Sequence, residues 1–302
     1  MVQGALSEMS LEEMAETLPA IKPDELLAGL TQYVKRETGM SFGAVIKISG
    51  RALEENDAYS LEAVCGSLVF MQQLLGAVNS GILVVHGAGL QLDEAITESG
   101  LTNRKTNGLR YTDDTIYGVV EKEMQSLNSR VIGLLKAYGA RVAPVPIGIV
   151  FAQGIGQEYG GRVGKPTGLN HELLLKLLSS NNDTIMPVAT SIGIDGNSVG
   201  YNINADDVAA TLVAVLKPKL LMYVTQTGGV LADVNDGNSV LHQLTTEQAI
   251  GLSKDGMLGK VEAVKTALQA SPHTKVIITS PKDMVYSLFR TSGTEIYAAK
   301  QA

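Results

Sequence analysis

Short apolar runs alternate with longer stretches of helical periodicity along most of this chain. The runs are rich in β-branched and aliphatic residues, which predicts buried strands at 43–49, 81–87, 185–189, 220–225 and 275–279. The apolar spacing elsewhere predicts helices at 58–79, 114–138, 168–180, 205–216, 245–254, 257–270 and 283–289. This alternation favours a mainly parallel sheet that is covered by helices on both faces.

Two segments depart from this alternation. Residues 1–40 carry apolar side chains at helical spacing, namely Leu26, Leu27, Leu30, Tyr33 and Val34. They predict an N-terminal helical extension, which either packs on its own domain or joins subunits. Residues 148–170 are rich in Gly and poor in helical pattern, which predicts a hairpin or a lid.

Composition narrows the classes of protein to consider. A length of 302 residues fits two domains or one large unit with two lobes. The net charge of −7 and the aromatic content of 5% disfavour a nucleic-acid partner. No run approaches the ~20 apolar residues of a membrane span, and the N-terminus lacks the features of a signal peptide. We therefore predict a cytoplasmic protein with no membrane partner, in which the sole cysteine, Cys65, is a buried thiol.

Two predicted strands end in turns that suit an anion. The first carries Lys47 and runs into Ser49 and Gly50, and the second runs into the Gly-Ala-Gly turn at 87–89. A Lys at a strand end can reach an anion while the N–H groups of the turn line it. The second turn also opens a helix, whose first N–H groups form a ready anion site.

A third cluster stands before the predicted helix 205–216. Asn202, Asn204 and Asp206 lie within five residues, where a strand-to-helix corner would present two amides and a carboxylate to a ligand. Arg110 lies on a loop before another helix and can clamp a carboxylate through two N–H groups. Lys260 lies near the start of a helix, where a cation is unfavourable unless an anion binds.

Several familiar kinds of active site have no support in the sequence. Nothing matches the phosphate-binding P-loop or the protein-kinase motifs. The HExxH, paired CxxC and GxSxG patterns are also missing, and the chain has only four His. Zinc hydrolysis, serine hydrolysis and a His-rich metal site are therefore not predicted.

Taken in order, five motifs resemble the amino acid kinase family and, within it, the branch that phosphorylates N-acetyl-L-glutamate. They are VIKISG (45–50), VVHGAG (84–89), NGLRYTDD (107–114), YNINADDVAATL (201–212) and DGMLGKVEAVKTAL (255–268). The resemblance implies a three-layer αβα sandwich with a mainly parallel open sheet. It also implies an N-terminal lobe at 41–195 for the acyl amino acid and a C-terminal lobe at 196–302 for ATP.

The same resemblance assigns roles to the catalytic residues. Lys47 and Lys260 would stabilise charge on the phosphoryl group that passes from Mg²⁺-bound ATP to the substrate carboxylate, and Asp206 would orient both lysines. Arg110 would hold the α-carboxylate of N-acetyl-L-glutamate, and Asn202 its acetamido end.

Other positions complete the expected site. The remaining substrate-binding residues would be Gly50, Gly87, Ala88, Gly89 and Asn204. The nucleotide-binding residues would be Ser49, Thr225, Gly228, Gly229, Gly256 and Met257. No protein side chain is expected as a metal ligand. The resemblance further suggests a dimer or a hexamer and an arginine effector, within arginine biosynthesis.

The motifs also depart from the family pattern. Ser49 and Ala88 replace usual Gly residues, Gln226 stands where a Thr-Asp pair is common, and residues 144–158 lack a Gly-rich pattern of the family. Two alternatives therefore stand beside an active acetylglutamate kinase. One is a weakened relative that senses an amino acid or regulates a partner, and the other is a kinase for another acyl amino acid.

Overall fold

The computed structural model describes residues 43–54, 58–76, 81–106, 108–170, 185–289 and 292–298. The N-terminal extension predicted for 1–40 lies outside the described residues. So does most of the helix predicted at 168–180. Its first two residues belong to a strand instead, and that part of the prediction is wrong because the strand pairs with its hairpin partner up to Leu169.

The strands confirm the predicted runs and add short ones. They are β1 (Ala44–Ile48), β2 (Ile82–His86), β3 (Lys105–Thr106), β4 (Leu109–Arg110), β5 (Val142–Pro144), β6 (Val150–Gly154), β7 (Val163–Leu169), β8 (Met186–Thr190), β9 (Ile192–Ile194), β10 (Gly200–Ile203), β11 (Leu220–Val224), β12 (Val230–Leu231), β13 (Val240–Leu241), β14 (Gln243–Thr245), β15 (Lys275–Thr279) and β16 (Thr294–Tyr297).

The helices lie close to their predicted positions. They are α1 (Ala58–Gly76), α2 (Gly89–Glu98), α3 (Asp114–Ala137), α4 (Ala205–Leu216), α5 (Thr246–Leu252), α6 (Asp255–Ala270) and α7 (Met284–Ser287). Short 3₁₀ turns occupy Gly50–Leu53, Gln157–Tyr159 and Pro281–Asp283. The helix predicted at 283–289 is thus only one turn of α-helix, since a 3₁₀ turn with Pro at its start precedes it.

An eight-stranded sheet forms the middle layer, in the order β14-β16-β15-β11-β1-β2-β8-β5. The six strands from β15 to β5 are parallel to one another. β16 runs antiparallel to β15, and β14 runs parallel to β16. The predicted mainly parallel sheet is confirmed. Within this sheet, β1 and β2 carry the VIKISG and VVHGAG motifs at their carboxyl ends, which is where ligands bind in open α/β sheets.

Each face of the sheet buries its own apolar layer. Ile46 and Ile48 face a core that includes side chains of α1, α3 and α7. Val45, between them in β1, faces a second core made with α4, α5 and α6. Because side chains alternate along a strand, the continuous apolar run of β1 serves both layers, and the predicted αβα sandwich is confirmed.

A smaller closed ring of four strands, in the order β10-β7-β6-β9, stands beside the main sheet. β6 and β7 are antiparallel neighbours, which confirms the hairpin predicted at 148–170. Its connecting turn is held to the chain at Thr112, whose N–H donates to the Tyr159 carbonyl at 2.8 Å. The N–H of Arg162 donates to the Thr112 carbonyl at 2.9 Å.

The main sheet runs through the boundary predicted between lobes at 195 and 196. β1 lies between β2 from the first lobe and β11 from the second. The lobe limits and the ligand assigned to each lobe stay predictions. Among the described residues, no helix is both long enough and apolar enough to cross a membrane.

Candidate active site

A cavity of about 350 Å³ opens beyond the carboxyl ends of β1 and β2. The structure brings all seven predicted substrate-binding residues to its walls, together with Lys47 and Ser49 from the other two predicted sets. The seven are Gly50, Gly87, Ala88, Gly89, Arg110, Asn202 and Asn204. Residues separated by up to 157 positions thus share one site, although their individual roles stay predictions.

The first turn of α2 offers unused N–H groups to this cavity. Ala88 stands at the N-cap, and no side chain caps the helix there. The first backbone bond of the helix is from the Leu92 N–H to the Ala88 carbonyl at 2.8 Å. The N–H of Gly89 and the next two residues come before that bond, so they are free to bind an anion.

The turn after β1 approaches α2 very closely. A Cβ on Gly50 would lie 2.6 Å from the Gly89 nitrogen and 2.7 Å from Gln91 Oε1, so only glycine fits. Ser49, which stands where the family has Gly, accepts a bond from the Ala52 N–H at 3.3 Å and caps the 3₁₀ turn. The Ser49 hydroxyl therefore stabilises the turn that follows β1.

Two buried lysines share one buried carboxylate behind the cavity. The Nζ atom of Lys47 lies 2.7 Å from Asp206 Oδ1, and that of Lys260 lies 3.0 Å from both carboxylate oxygens. The three side chains come from β1, α4 and α6. Tyr223 on β11, the register partner of Lys47, places its ring 5.0 Å from Lys260 Nζ.

Burial and ion pairing have opposite effects on the pKa values of Asp206 and Lys260. Burial alone would raise the pKa of Asp206, but the charges of Lys260 and Lys47 outweigh it and hold that pKa at about 2. Burial lowers the pKa of Lys260 to about 8, and the Lys47 charge adds to that effect while Asp206 opposes it. The carboxylate is therefore ionised at neutral pH, and Lys260 is mostly protonated.

Arg110 is held by a network that the sequence did not reveal. Its Nη1 lies 2.6 Å from Asp93 Oδ1 and donates to Asn103 Oδ1 at 2.5 Å, while Nη2 donates to the Gly89 carbonyl at 2.8 Å. Lys105 lies 3.4 Å from the other Asp93 oxygen. The guanidinium is fixed at the cavity wall, and it keeps N–H groups beyond these contacts for a ligand.

The two predicted amides differ in their surroundings. Asn204 caps α4, because its side-chain oxygen accepts from the Asp206 N–H at 2.9 Å. Asn202 donates through Nδ2 to the Thr112 hydroxyl at 3.1 Å, and that hydroxyl donates to the Arg110 carbonyl at 2.9 Å. Thr112 thus links two predicted substrate-binding residues, whereas Asn204 fixes the helix that carries Asp206.

The predicted nucleotide-binding residues other than Ser49 lie away from the cavity walls. Gly229 packs against Thr294 and Val240, which leave no room for a Cβ, and Gly228 has a φ of +71° in the turn after β11. Gly256 and Met257 lie in the first turn of α6, one turn before Lys260. Thr225 follows β11 directly. The role of all these residues stays a prediction.

In the described part of the chain, no three His, Cys, Asp or Glu side chains come together in a way that could hold an ion. His86 is fully buried at the end of β2 and its Nε2 lies 3.2 Å from Asn128 Oδ1. Burial lowers its pKa to about 4, so His86 is neutral at neutral pH.

The sequence did not predict the side chains that hold the predicted site residues in place. Asp93 and Asn103 hold Arg110, Thr112 joins it to Asn202, and Tyr223 lies beside Lys260. Asn103 stands seven residues before Arg110, just ahead of the β3–β4 hairpin, which is a weak local signal. Asp93 gave no signal, because it comes from a different element.

Known proteins resemble this chain over most of its length. The chain is 33% identical over 271 residues to an acetylglutamate kinase of Xylella fastidiosa, an alignment that covers 88% of this chain and 62% of that protein. It is 29% identical over 268 residues to an acetylglutamate kinase of Carboxydothermus hydrogenoformans, with 82% of this chain and 87% of that protein covered. The chain thus spans about three fifths of the length of the Xylella relative.

Solved structures share the fold. An N-acetylglutamate synthase from Neisseria gonorrhoeae, solved with coenzyme A and N-acetyl-glutamate, superposes with a TM-score of 0.73 at 21% identity, covering 90% of this chain and 62% of that one. A sequence profile described as the amino acid kinase family matches residues 43–280, which is more than half of the chain. The chain belongs to the amino acid kinase family.

Proposed function

We propose that this chain transfers the γ-phosphoryl group of ATP to the side-chain carboxylate of N-acetyl-L-glutamate and so forms N-acetylglutamyl 5-phosphate. One observation carries the proposal: Lys47 and Lys260 share Asp206 directly behind a cavity that also contains Arg110 and two turns with free N–H groups. The Xylella and Carboxydothermus relatives, both named acetylglutamate kinase, support this substrate.

The arrangement suits a reaction that needs positioning and charge more than proton transfer. A carboxylate is already a nucleophile at neutral pH, so no general base is required. Arg110 would hold the α-carboxylate, and Asn202 the acetamido group. Lys47 and Lys260 would stabilise the charge of the phosphoryl group in transit, and Asp206 would keep their ammonium groups in place.

The nucleotide end is also part of the proposal. Its binding residues would be Ser49, Thr225, Gly228, Gly229, Gly256 and Met257. The cavity walls carry cations rather than a cage of carboxylates, which fits an ion that arrives with the phosphates. When bound, Mg²⁺ would neutralise phosphate charge.

A hydroxamate assay with Mg-ATP and N-acetyl-L-glutamate tests this function, because hydroxylamine traps an acyl phosphate. We expect signal from the parent chain and a loss of about 10²-fold or more in Lys260→Ala, as for removal of a preorganised electrostatic donor. Lys265→Ala is the matched control, since Lys265 is exposed on the same helix. It should keep the parent rate.

Two other outcomes would change the conclusion. In the first, a folded parent gives no signal with N-acetyl-L-glutamate and a signal with another acyl amino acid. That result would change the proposed substrate but keep the proposed phosphoryl transfer to a carboxylate. A folded parent that binds an amino acid but not Mg-ATP would favour a sensing or regulatory relative.

The wider biology follows from the same resemblance. The proposed setting is arginine biosynthesis in the cytoplasm, although a matching Neurospora crassa relative is named as mitochondrial. We also propose a homo-oligomer, dimeric or hexameric, that responds to arginine. Light scattering with and without arginine tests this, and a dimer mass that arginine leaves unchanged would contradict the hexamer under feedback.

A further inference from the structure

Gln91 ties together the two turns that carry the free N–H groups. It lies in the first turn of α2 and is buried, with 9% of its surface exposed. Its Nε2 donates to the carbonyl of Gly50 at 2.9 Å, across 41 residues of sequence. Gln91 does not itself line the cavity, whereas Gly50 and Gly89 do.

The other atom of the same amide is left without a hydrogen bond. Gln91 Oε1 is buried and has no partner among the described residues. It lies 2.7 Å from the point where a Cβ on Gly50 would stand, so it faces the Cα hydrogen of that glycine. A Cα–H···O contact is weak, and a buried amide oxygen without a strong donor is costly. Both polar atoms of the Gln91 amide therefore contact Gly50, although this leaves Oε1 without a hydrogen bond.

The geometry of a trans peptide gives this contact a consequence for the cavity. In the peptide between Gly50 and Arg51, the C=O and the N–H point in opposite directions. Gln91 holds the C=O, so the N–H of Arg51 points away from Gln91. Arg51 lines the cavity, and neither its N–H nor that of Gly50 donates to another backbone carbonyl among the described residues.

We propose that Gln91 is a positioning residue for phosphoryl transfer. It fixes the turn after β1 against the first turn of α2, so that the N–H groups of both turns converge on the transferring phosphoryl group. The proposal rests on the kinase function proposed above. It adds a residue that acts through Gly50 and Gly89 and touches neither substrate.

Two variants at Gln91 and one control test it. Gln91→Met keeps the length of the side chain but removes the donor, and Gln91→Glu removes the donor and adds negative charge behind the anion site. Gln72→Met is the control, because Gln72 lies in α1 outside the cavity walls and also donates to a backbone carbonyl, that of Arg141, at 2.7 Å. Thermal unfolding of each variant establishes that it is folded.

Steady-state kinetics should separate positioning from binding. In Gln91→Met we expect kcat to fall about 10- to 100-fold, as for a small misplacement of reacting groups, with both KM values within about twofold of the parent. In Gln91→Glu, kcat should fall further than in Gln91→Met. Calorimetric titration should show that binding of Mg-ADP and aluminium fluoride together with N-acetyl-L-glutamate weakens by a similar factor. Binding of N-acetyl-L-glutamate alone should stay unchanged.

The outcomes are distinct. A folded Gln91→Met with kcat and fluoroaluminate binding close to those of Gln72→Met would overturn the proposal and leave the kinase function standing. Should Gln91→Met fail to fold, Gln91→Glu decides the question by the same two measurements. A folded parent without kinase activity would contradict the proposed function and this inference with it.

Discussion

Lys260 and Lys47 present more charge than their single partner can neutralise. Asp206 supplies one negative charge to two ammonium groups, and all three side chains are buried. A buried cation without full compensation is unfavourable. Binding of an anionic ligand beside Lys47 would complete the pairing, so this cluster explains why the cavity should favour phosphate.

The pH dependence of activity provides a test of Lys260. Because its pKa is lowered to about 8, we expect kcat to fall as the pH rises through about 8, when the ammonium group loses its proton. The stability effect has the opposite sign. The unfolded chain binds a proton at this lysine up to its ordinary pKa of 10.5, so the contribution of Lys260 to the free energy of unfolding rises from about pH 8 to that value.

Rate and stability measured over the same pH range therefore separate catalysis from unfolding. The hydroxamate rate and the urea midpoint should be followed from pH 6.5 to about 10 in the parent and in Lys260→Met. The parent should lose rate near pH 8 without a fall in urea midpoint over the first unit above it. A parent whose rate is flat through pH 9 would contradict a role for protonated Lys260.

At the scale of elements, the hairpin of β6 and β7 controls the position of Thr112. Gly160 in its turn has a φ of +94°, and a Cβ there would lie 2.5 Å from the Thr112 carbonyl carbon and oxygen. Thr112 in turn bonds to Asn202 and to the Arg110 carbonyl. A change in the turn should therefore shift Asn202 and Arg110, two of the predicted substrate-binding residues.

We expect Gly160→Ala to lower the free energy of unfolding by about 1–3 kcal/mol, the range for strained backbone, and to raise the KM for N-acetyl-L-glutamate. The KM for ATP should change less, because Thr112 bonds to predicted substrate-binding residues and to none of the predicted nucleotide-binding ones. Gly168→Ala is the control, since Gly168 lies in β7 of the same hairpin with a φ that other residues adopt and open space around it. Equal KM values in the two variants would contradict the link through Thr112.

The elements also show what the sequence could predict. The sequence predicts β1 and β2 because a fully buried strand is a short apolar run, and it predicts the turns after them because Gly residues follow each run. The start of the helix predicted at 168 failed because Gly168 and Leu169 pair with β6, a contact that local spacing does not encode. Asp93 was missed for the same reason, since its partner Arg110 comes from a different element.

At the scale of the whole molecule, β1 joins the two predicted lobes. Its five residues pair with β2 on one side and with β11 on the other. Val45 packs in one apolar cluster with Val208 and Tyr223, both from beyond the predicted boundary. Ile46 packs on the other face in a cluster that includes Met222. Neither face of β1 is complete without the second half of the chain.

The predicted lobe at 41–195 should therefore not fold by itself. Without residues 196–302, β1 would expose an unpaired edge, which favours aggregation, and the apolar cluster around Val45 would lose Val208, Tyr223 and its other members from beyond residue 195. We expect the isolated fragment to lack a cooperative urea transition by circular dichroism. The intact chain should unfold in one transition that coincides for circular dichroism and tyrosine fluorescence. A stably folded 41–195 fragment, or two separate transitions in the intact chain, would show that the halves are independent domains and that the β1–β11 pairing adds little to either.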